Sequence, residues 1–548
     1  MPSPNTYLEA ESKPGAVVAH LAHWLLGVTA HCALGVVLGF LAARSMRSRH
    51  VHWSWAALGC VLVLMARSEL AGAAPTLTLA FALAGARSRR WHREDLEAGA
   101  DLAALASARR TALDLLRRFA RVMELRLRDT LSLPRWIRGG RLVLGLDESN
   151  RPVSIPFGIE TGARHLLVVG ATGSGKTVTQ TWIATRAIEA GTGAVVVDPK
   201  GDIDMREQLR QAALAAGRAF LAWTPHGERV YNPYARGTAS EIADKALAGE
   251  RFTEPHYLRQ AQRYLGQVVR ALQACEIEVS LRAIVDHLEP ARLELLARMQ
   301  PEAQAHATFA YLDSLSSRQQ SDLAGMRDRL AILAESDVAP WLDPQTIDAE
   351  PFDLLSAVRE RAVVYFSLES DSRPLLAQML GAAIVQDLQT IVAASQARPV
   401  ATLVVLDEFS ALAAEQVVRL FGRARSAGFS LLLGTQELSD LRPPGRERLL
   451  EQVLGNLSVL IAHRQVVPSS AELISRVAGV RGTWSVSRHS DGRTTRTRSD
   501  EPLLDPVRVM SLQRGWAAVL GLEHGGEVRV ARMLSPDRFE QNTTRRAR

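Results

Sequence analysis

The sequence predicts an α/β protein built on a parallel sheet, with an all-helical insertion and N-terminal transmembrane helices. Three observations carry this. Short apolar runs rich in Val, Leu and Ile, at 165–169, 193–198, 361–367 and 402–406, alternate with longer segments of helical spacing. Between about 239 and 344 the alternation stops and only helical patterns remain. Near the start, two apolar regions, 16–43 and 53–86, have the composition of membrane segments.

Composition sets the frame. A chain of 548 residues, 47% hydrophobic and 22% charged, can bury at least one large core and divides into two to four structural units. Its net charge of +7 favours anionic partners, either nucleic acid or the acidic membrane leaflet. Cys32, Cys60 and Cys275 have neither pairing nor metal-ligand spacing, so no disulfide framework or zinc site is expected. Lysine is rare: Lys13, Lys176, Lys200 and Lys245 are the only four among 65 basic residues. Arginine thus takes almost every place where a positive charge alone suffices, and Lys176 is the exception that chemistry explains, because a compact ammonium fits where a planar guanidinium would not.

Residues 1–15 form a polar tail. Ala16 to Ala43 then runs 28 residues without a formal charge, long enough for a helix to cross a bilayer. A cleaved signal peptide is the competing reading, but the preceding segment is acidic and the run is too long for that role. His20, His23 and His31 within it are expected to pack or snorkel rather than conduct protons. The second region, 53–86, is broken by Arg67, Ser68 and Glu69 and contains Pro75, so each half is short for a span. Arginines precede it at 44, 47 and 49 and follow it at 87, 89, 90 and 93. The positive-inside rule then favours a hairpin after one true span, with a two-span topology as the alternative. A helical stem is expected over 87–137, and Arg141–Leu146 with Pro152–Pro156 reads as a hairpin.

Behind the apolar run 165–169 comes Gly170, Ala171, Thr172, Gly173, Ser174, Gly175, Lys176 and Thr177, a match to G-x-x-x-x-G-K-[ST]. The glycines let backbone N–H groups close around phosphates, and the following helix points its N-terminus at the anion. Lys176 reaches the β- and γ-phosphates, and Thr177 ligates Mg²⁺. The expected cofactors are therefore ATP and Mg²⁺. The next buried strand ends in Asp198, Lys200 and Asp202, at the sheet edge where open parallel sheets bind ligands; a plain βα turn competes with a nucleotide or subunit contact there.

Downstream, Asp407 and Glu408 close the strand beginning at Thr402. The aspartate can hold Mg²⁺ through its water shell, and the glutamate can polarise the attacking water. Gln436, at the end of the neighbouring strand, is placed to sense the γ-phosphate. Arg425, ahead of that strand, is a candidate arginine finger offered to an adjacent subunit. Toward the end, 481–498 is a polar stretch with five arginines, read either as a hairpin touching DNA or as a surface loop, and two closing strands follow from Trp516 and Glu527.

In this order, the membrane region, GATGSGKT, VVVDPKGD, the helical insertion, LVVLDEF and GTQELSDL resemble the TraG/TraD-type coupling proteins of conjugative type IV secretion systems, within the FtsK/HerA group of DNA-pumping ATPases. The resemblance covers most of residues 1–540. It implies a RecA-like P-loop NTPase core at 138–238 and 345–540, the insertion at 239–344, and a basic tail at 541–548. It implies nucleotide-binding roles for Lys176 and Thr177, the metal and hydrolysis pair at Asp407 and Glu408, the sensor at Gln436 and the finger at Arg425. It also implies a homo-hexameric ring that moves single-stranded DNA with its relaxase through the bacterial inner membrane, with the multi-pass anchor in the membrane and the ATPase in the cytoplasm. The large periplasmic loop of some members has no counterpart here. A chromosomal translocase is the first rival, expected to carry a winged-helix module for which too few residues follow Glu540; an assembly ATPase acting on protein is the second.

Overall fold

The computed structural model describes residues 14–48, 51–66, 70–97, 136–138, 140–157, 162–250, 254–412, 414–442, 448–488, 494–522 and 528–536. Most of the expected stem and the basic tail lie outside the described residues. The chain divides into two units, Met1–Leu131 with Arg481–Glu501, and Ser132–Val480 with Pro502–Arg548.

In the first unit, helix α1 (Pro14–Ser48) is long and apolar enough to cross a membrane over Leu21–Arg47. Helix α2 (Ser54–Met65) has 12 residues, short of a span, and α3 (Ala74–Glu97) follows a 3-10 turn at Ala71–Ala73. Glycines bring α1 and α3 to backbone contact. A Cβ on Gly35 would lie 3.0 Å from the Thr76 carbonyl oxygen, and one on Gly39 would lie 2.9 Å from that of Ala80. His31 sits on this seam, its Nδ1 2.8 Å from Thr76 Oγ1. The arginines of the sequence pattern gather with aromatics: Arg47 and Arg87 lie over the Trp91 ring, and Arg89 over Trp53.

In the second unit, a two-residue edge strand at Ile137–Arg138 leads into the antiparallel hairpin of β1 (Arg141–Asp147) and β2 (Pro152–Pro156), and itself pairs antiparallel with β1. Then come β3 (Leu166–Val169), α4 (Lys176–Glu189), β4 (Gly193–Asp198), α5 (Ile203–Ala215) and β5 (Phe220–Trp223). The intervening segment is helical: α6 (Ala239–Leu247), α7 (Pro255–Ala274), α8 (Leu281–Asp286), α9 (Pro290–Ala297), α10 (Glu302–Asp313) and α11 (Ser317–Ala334). Capping boxes start two of these, Thr238 with Glu241 and Ser316 with Gln319. The α/β pattern resumes with α12 (Leu354–Arg359), β6 (Val363–Ser367), α13 (Pro374–Ala394), β7 (Thr402–Leu406), α14 (Ala414–Ala424), β8 (Phe429–Thr435), β9 (Val459–His463) and α15 (Pro468–Ala478). The arginine-rich stretch, which is grouped with the first unit, forms two paired strands, β10 (Val480–Arg488) and β11 (Thr494–Pro502), whose connecting tip lies outside the described residues. The chain closes on β12 (Trp516–Gly521) and β13 (Val528–Met533).

The main sheet runs β1-β13-β12-β9-β3-β8-β7-β4-β6-β5. From β9 to β5 its neighbours are parallel, and from β9 to β1 they are antiparallel. The continuous apolar runs follow from this layering, because both faces are covered. Leu166 and Val168 face a core with Trp182, Ile183 and Ala187 of α4, while Leu167 and Val169 face a second core with α13 and the helical segment. Helix α13 also has the length and hydropathy of a membrane span, but 67% of it is buried, as a core helix requires. A buried ion pair joins the helical segment to this core: Lys245 Nζ on α6 donates to Asp387 Oδ1 on α13 at 2.5 Å, and to the carbonyls of Pro233 and Arg236. Tyr231 donates to the other Asp387 oxygen at 2.7 Å.

Candidate functional site

The parallel strands β3, β8, β7 and β4 bring their carboxyl ends to one edge, and the site is assembled there. Where β3 stops, the loop is stitched to both flanking strands. Gly170 N–H donates to Thr435 O at the end of β8, and Ala171 N–H to Arg464 O beyond β9. Glycine is required at the first position by close approach, since a Cβ on Gly170 would fall 2.7 Å from His463 Cβ and 2.5 Å from Ser174 Oγ. It is required at Gly175 by a φ of 112°, at the N-cap of α4. Thr172 and Gly173 are exposed, Ser174 and Lys176 are buried, and Thr177 is half-buried in the first turn of α4.

His463 supports this loop from below. It is buried, with Nδ1 3.1 Å from Trp516 O and Nε2 2.9 Å from Thr179 Oγ1 of α4. Burial pushes its pKa down to about 4, so the neutral ring donates from Nδ1 and accepts at Nε2. Gly515, just before β12, donates its N–H to Ser174 O at 2.9 Å. The closing strands therefore hold the loop as well as extending the sheet.

Glu408 is the hub. It follows β7 with a left-handed φ of 45°, an unusual conformation for a glutamate. Its Oε1 accepts from Lys176 Nζ at 2.7 Å, from Lys200 Nζ at 3.2 Å and from Gln436 Nε2 at 3.1 Å. Asp407 Oδ1 lies 3.3 Å from Lys176 Nζ, near enough for charge attraction, yet it is buried and accepts no hydrogen bond. The two carboxyls are pushed apart in acidity. Burial raises Asp407, and the attraction of Lys176 does not offset it. Burial also opposes ionisation of Glu408, but Lys176, Lys200 and Gln436 outweigh it and hold this carboxyl below its ordinary range.

The segment after β4 divides into two roles. Asp198 accepts from the N–H groups of Lys200 and Asp202 and from the Tyr365 hydroxyl, and Asp202 caps α5 through Met205 N–H. These carboxylates build the turn, and the turn carries Lys200 into the site. Lys176, Lys200, Glu408 and Gln436 thus converge, beside Asp407 and Thr177.

Arg425 stands apart. It precedes β8 while Gln436 follows it, and a seven-residue strand separates them by roughly 20 Å. Its Nη2 donates to Asn456 O at 2.9 Å and Ser458 Oγ at 3.2 Å. Burial, with Arg425 adding to it, lowers the pKa of His165 at that edge to about 3. Sequence reasoning did not single out His463, Gln180 or Lys245. The scarcity of lysine was the signal available for Lys245.

A phosphate-binding loop behind a central strand, with an Asp-Glu pair and a glutamine on adjacent strand ends, is the arrangement of a P-loop nucleotide-binding fold. The family model of the type IV secretion-system coupling protein DNA-binding domain matches residues 151–498, and the chain belongs to that family. Solved structures share the fold. The bacterial conjugative coupling protein TrwBdeltaN70 aligns with a TM-score of 0.56 at 18% identity, over 73% of this chain and 93% of that one. TrwB in complex with ADP and Mg²⁺ aligns at 0.55 and 20% identity, over 73% and 94%. VirB4 of Thermoanaerobacter pseudethanolicus aligns at 0.50 and 13% identity, over 75% and 100%. An uncharacterized protein of Mycoplasma pneumoniae is 30% identical over 105 residues, 19% of this chain and 70% of its own length.

Proposed function

We propose that this chain is a membrane-anchored, ATP-driven DNA translocase that delivers relaxase-bound single-stranded DNA to a type IV secretion channel. The observation that carries the reading is the convergence of Lys176, Lys200 and Gln436 on Glu408 Oε1, at the sheet edge that also holds the phosphate loop. In it, 138–238 and 345–540 form the RecA-like motor and 239–344 the insertion.

The loop backbone and Lys176 bind the β- and γ-phosphates of ATP. Thr177 and Asp407 would hold Mg²⁺, and the site fits that ion: Asp407 Oδ1 is a buried acceptor that takes no hydrogen bond and has only the Lys176 ammonium near it, in a setting where added positive charge favours its ionised form. Bound Mg²⁺ offsets phosphate charge. Glu408, ionised, accepts a proton from the attacking water, and Gln436 holds the carboxylate while facing the γ-phosphate. When Lys176 turns to the phosphates, Glu408 loses its nearest cation and becomes free to bind that water.

A homo-hexameric ring would bring Arg425 of one subunit to the phosphates held by the next. The anchor is read as multi-pass, α1 spanning and α2–α3 forming a hairpin, with the ATPase in the cytoplasm of a bacterial inner membrane. The full-length protein in nanodiscs, assayed for ATP hydrolysis with and without single-stranded DNA at low salt, tests the function. Several-fold stimulation is expected. Stimulation by a secretion protein but not by DNA would favour the assembly-ATPase reading instead.

A further inference from the structure

Gln180 lies on α4, one turn beyond Lys176, and is fully buried. Neither its Nε2 nor its Oε1 has a hydrogen-bond partner. Leaving both ends of a buried amide unmatched is costly, so the position calls for an explanation. Asp407 Oδ1 is buried too: it lies 3.3 Å from Lys176 Nζ as an ion pair but accepts no hydrogen bond.

These atoms crowd one spot. A Cβ on Gly434 would fall 2.2 Å from Asp407 Oδ1 and 2.4 Å from Gln180 Nε2. Gly434 lies inside β8, in register with Val168 of β3, so its backbone is ordinary strand. Space, not conformation, demands glycine there. Its missing side chain leaves a notch into which a donor from α4 and an acceptor from the end of β7 both point.

We propose that Gln180 is a positioning residue for Asp407: its amide donates to Oδ1 across the Gly434 notch, by a small rotation or through one water, and fixes the carboxylate for the Mg²⁺ water shell. The inference rests on the ATPase reading and adds a residue to it. Lys176 neighbours Asp407 Oδ1 in this structure, but its hold on the carboxylate weakens when it turns to the phosphates. Gln180 is neutral and sits on a buried helix face, so it holds Asp407 throughout the cycle without competing with the cation. Orienting groups of this kind typically change metal affinity by about 10–100-fold.

The test uses the full-length protein with Gln180→Leu, Asp407→Asn and the double variant. Fluorescent ADP binding is titrated with Mg²⁺ and repeated in EDTA. In Gln180→Leu, half-maximal binding should need about tenfold more Mg²⁺, with affinity in EDTA and melting temperature unchanged. The double variant should need no more Mg²⁺ than Asp407→Asn alone, because Gln180 acts through that carboxylate. An unchanged Mg²⁺ requirement in Gln180→Leu, or penalties that multiply in the double variant, overturns the proposal. A high-resolution structure of the nucleotide-free wild type decides independently. Gln180 Nε2 should bond Asp407 Oδ1 or share a water with it, and an amide bonded elsewhere overturns the assignment even if the variants fail to fold. Should the wild type lack Mg²⁺-dependent binding altogether, the ATPase reading fails, while the structure still settles Gln180.

Discussion

Lys200 Nζ lies 3.2 Å from Glu408 Oε1, linking the turn after β4 to the end of β7 across 208 residues of sequence. Lys200 favours the ionised form of Glu408, so Lys200→Ala should raise the Glu408 pKa. If ionised Glu408 is the base, the acid limb of the pH–rate profile moves to higher pH in the variant. The lysine is 44% exposed, so solvent screens the pair and the movement should be modest. A profile of kcat against pH checks it, and a limb that stays put removes Lys200 from the hydrolytic apparatus.

Binding and chemistry should separate between the two residues of the shortest ion pair in the site. Lys176→Ala should weaken ATP binding and abolish turnover. Glu408→Gln should keep ATP bound while slowing hydrolysis by about 10²-fold or more. Equilibrium binding beside single-turnover kinetics measures both, and equal loss of affinity in the two variants refutes the roles.

The Lys245–Asp387 pair predicts a stability effect with a definite sign. Lys245→Met leaves a buried carboxylate without its cation and should cost about 3–5 kcal/mol. Lys245→Met with Asp387→Leu should recover much of that loss. Burial raises the folded pKa of Asp387 even with Lys245 present, and removing the lysine raises it further. The penalty in the single variant is thus full above the folded pKa and shrinks as pH falls through it. Denaturant unfolding at neutral and mildly acidic pH checks the direction.

An arginine finger completes a neighbour's site, so Arg425→Ala should lower turnover without loosening ATP in its own subunit. Mixed with Lys176→Ala subunits, it should regain activity, because one interface then pairs a sound loop with a sound arginine. The gain should rise with protein concentration. Mixed oligomers no more active than the separate variants would exclude a role in trans.

The membrane arrangement can be read chemically. With Cys32 and Cys60 replaced, a cysteine at Ser48 should resist a membrane-impermeant thiol reagent in intact cells if the loop after α1 is cytoplasmic. Rapid labelling favours the two-span topology.

Sequence alone determined those parts whose physics is local. Gly170 to Thr177 is legible because a phosphate loop is contiguous backbone: glycines for the turn, lysine and threonine at its end, an apolar strand before it and a helix after it. Asp407 and Glu408 are legible because they terminate a buried strand, and the helical character of 239–344 because helical spacing persists there. Tertiary structure decided what depends on strand order and burial, which no local pattern encodes. The parallel sheet brings the ends of β3, β4, β7 and β8 together, and so makes Lys200 a partner of Glu408 while Asp198 and Asp202 serve the turn. It also puts Arg425 at the opposite edge from Gln436, although eleven positions separate them in sequence. His463, Gln180 and Lys245 look like ordinary members of a strand and two helices until the fold closes over them. They acquire their roles by being removed from water, where a polar group must find a partner or shift its protonation.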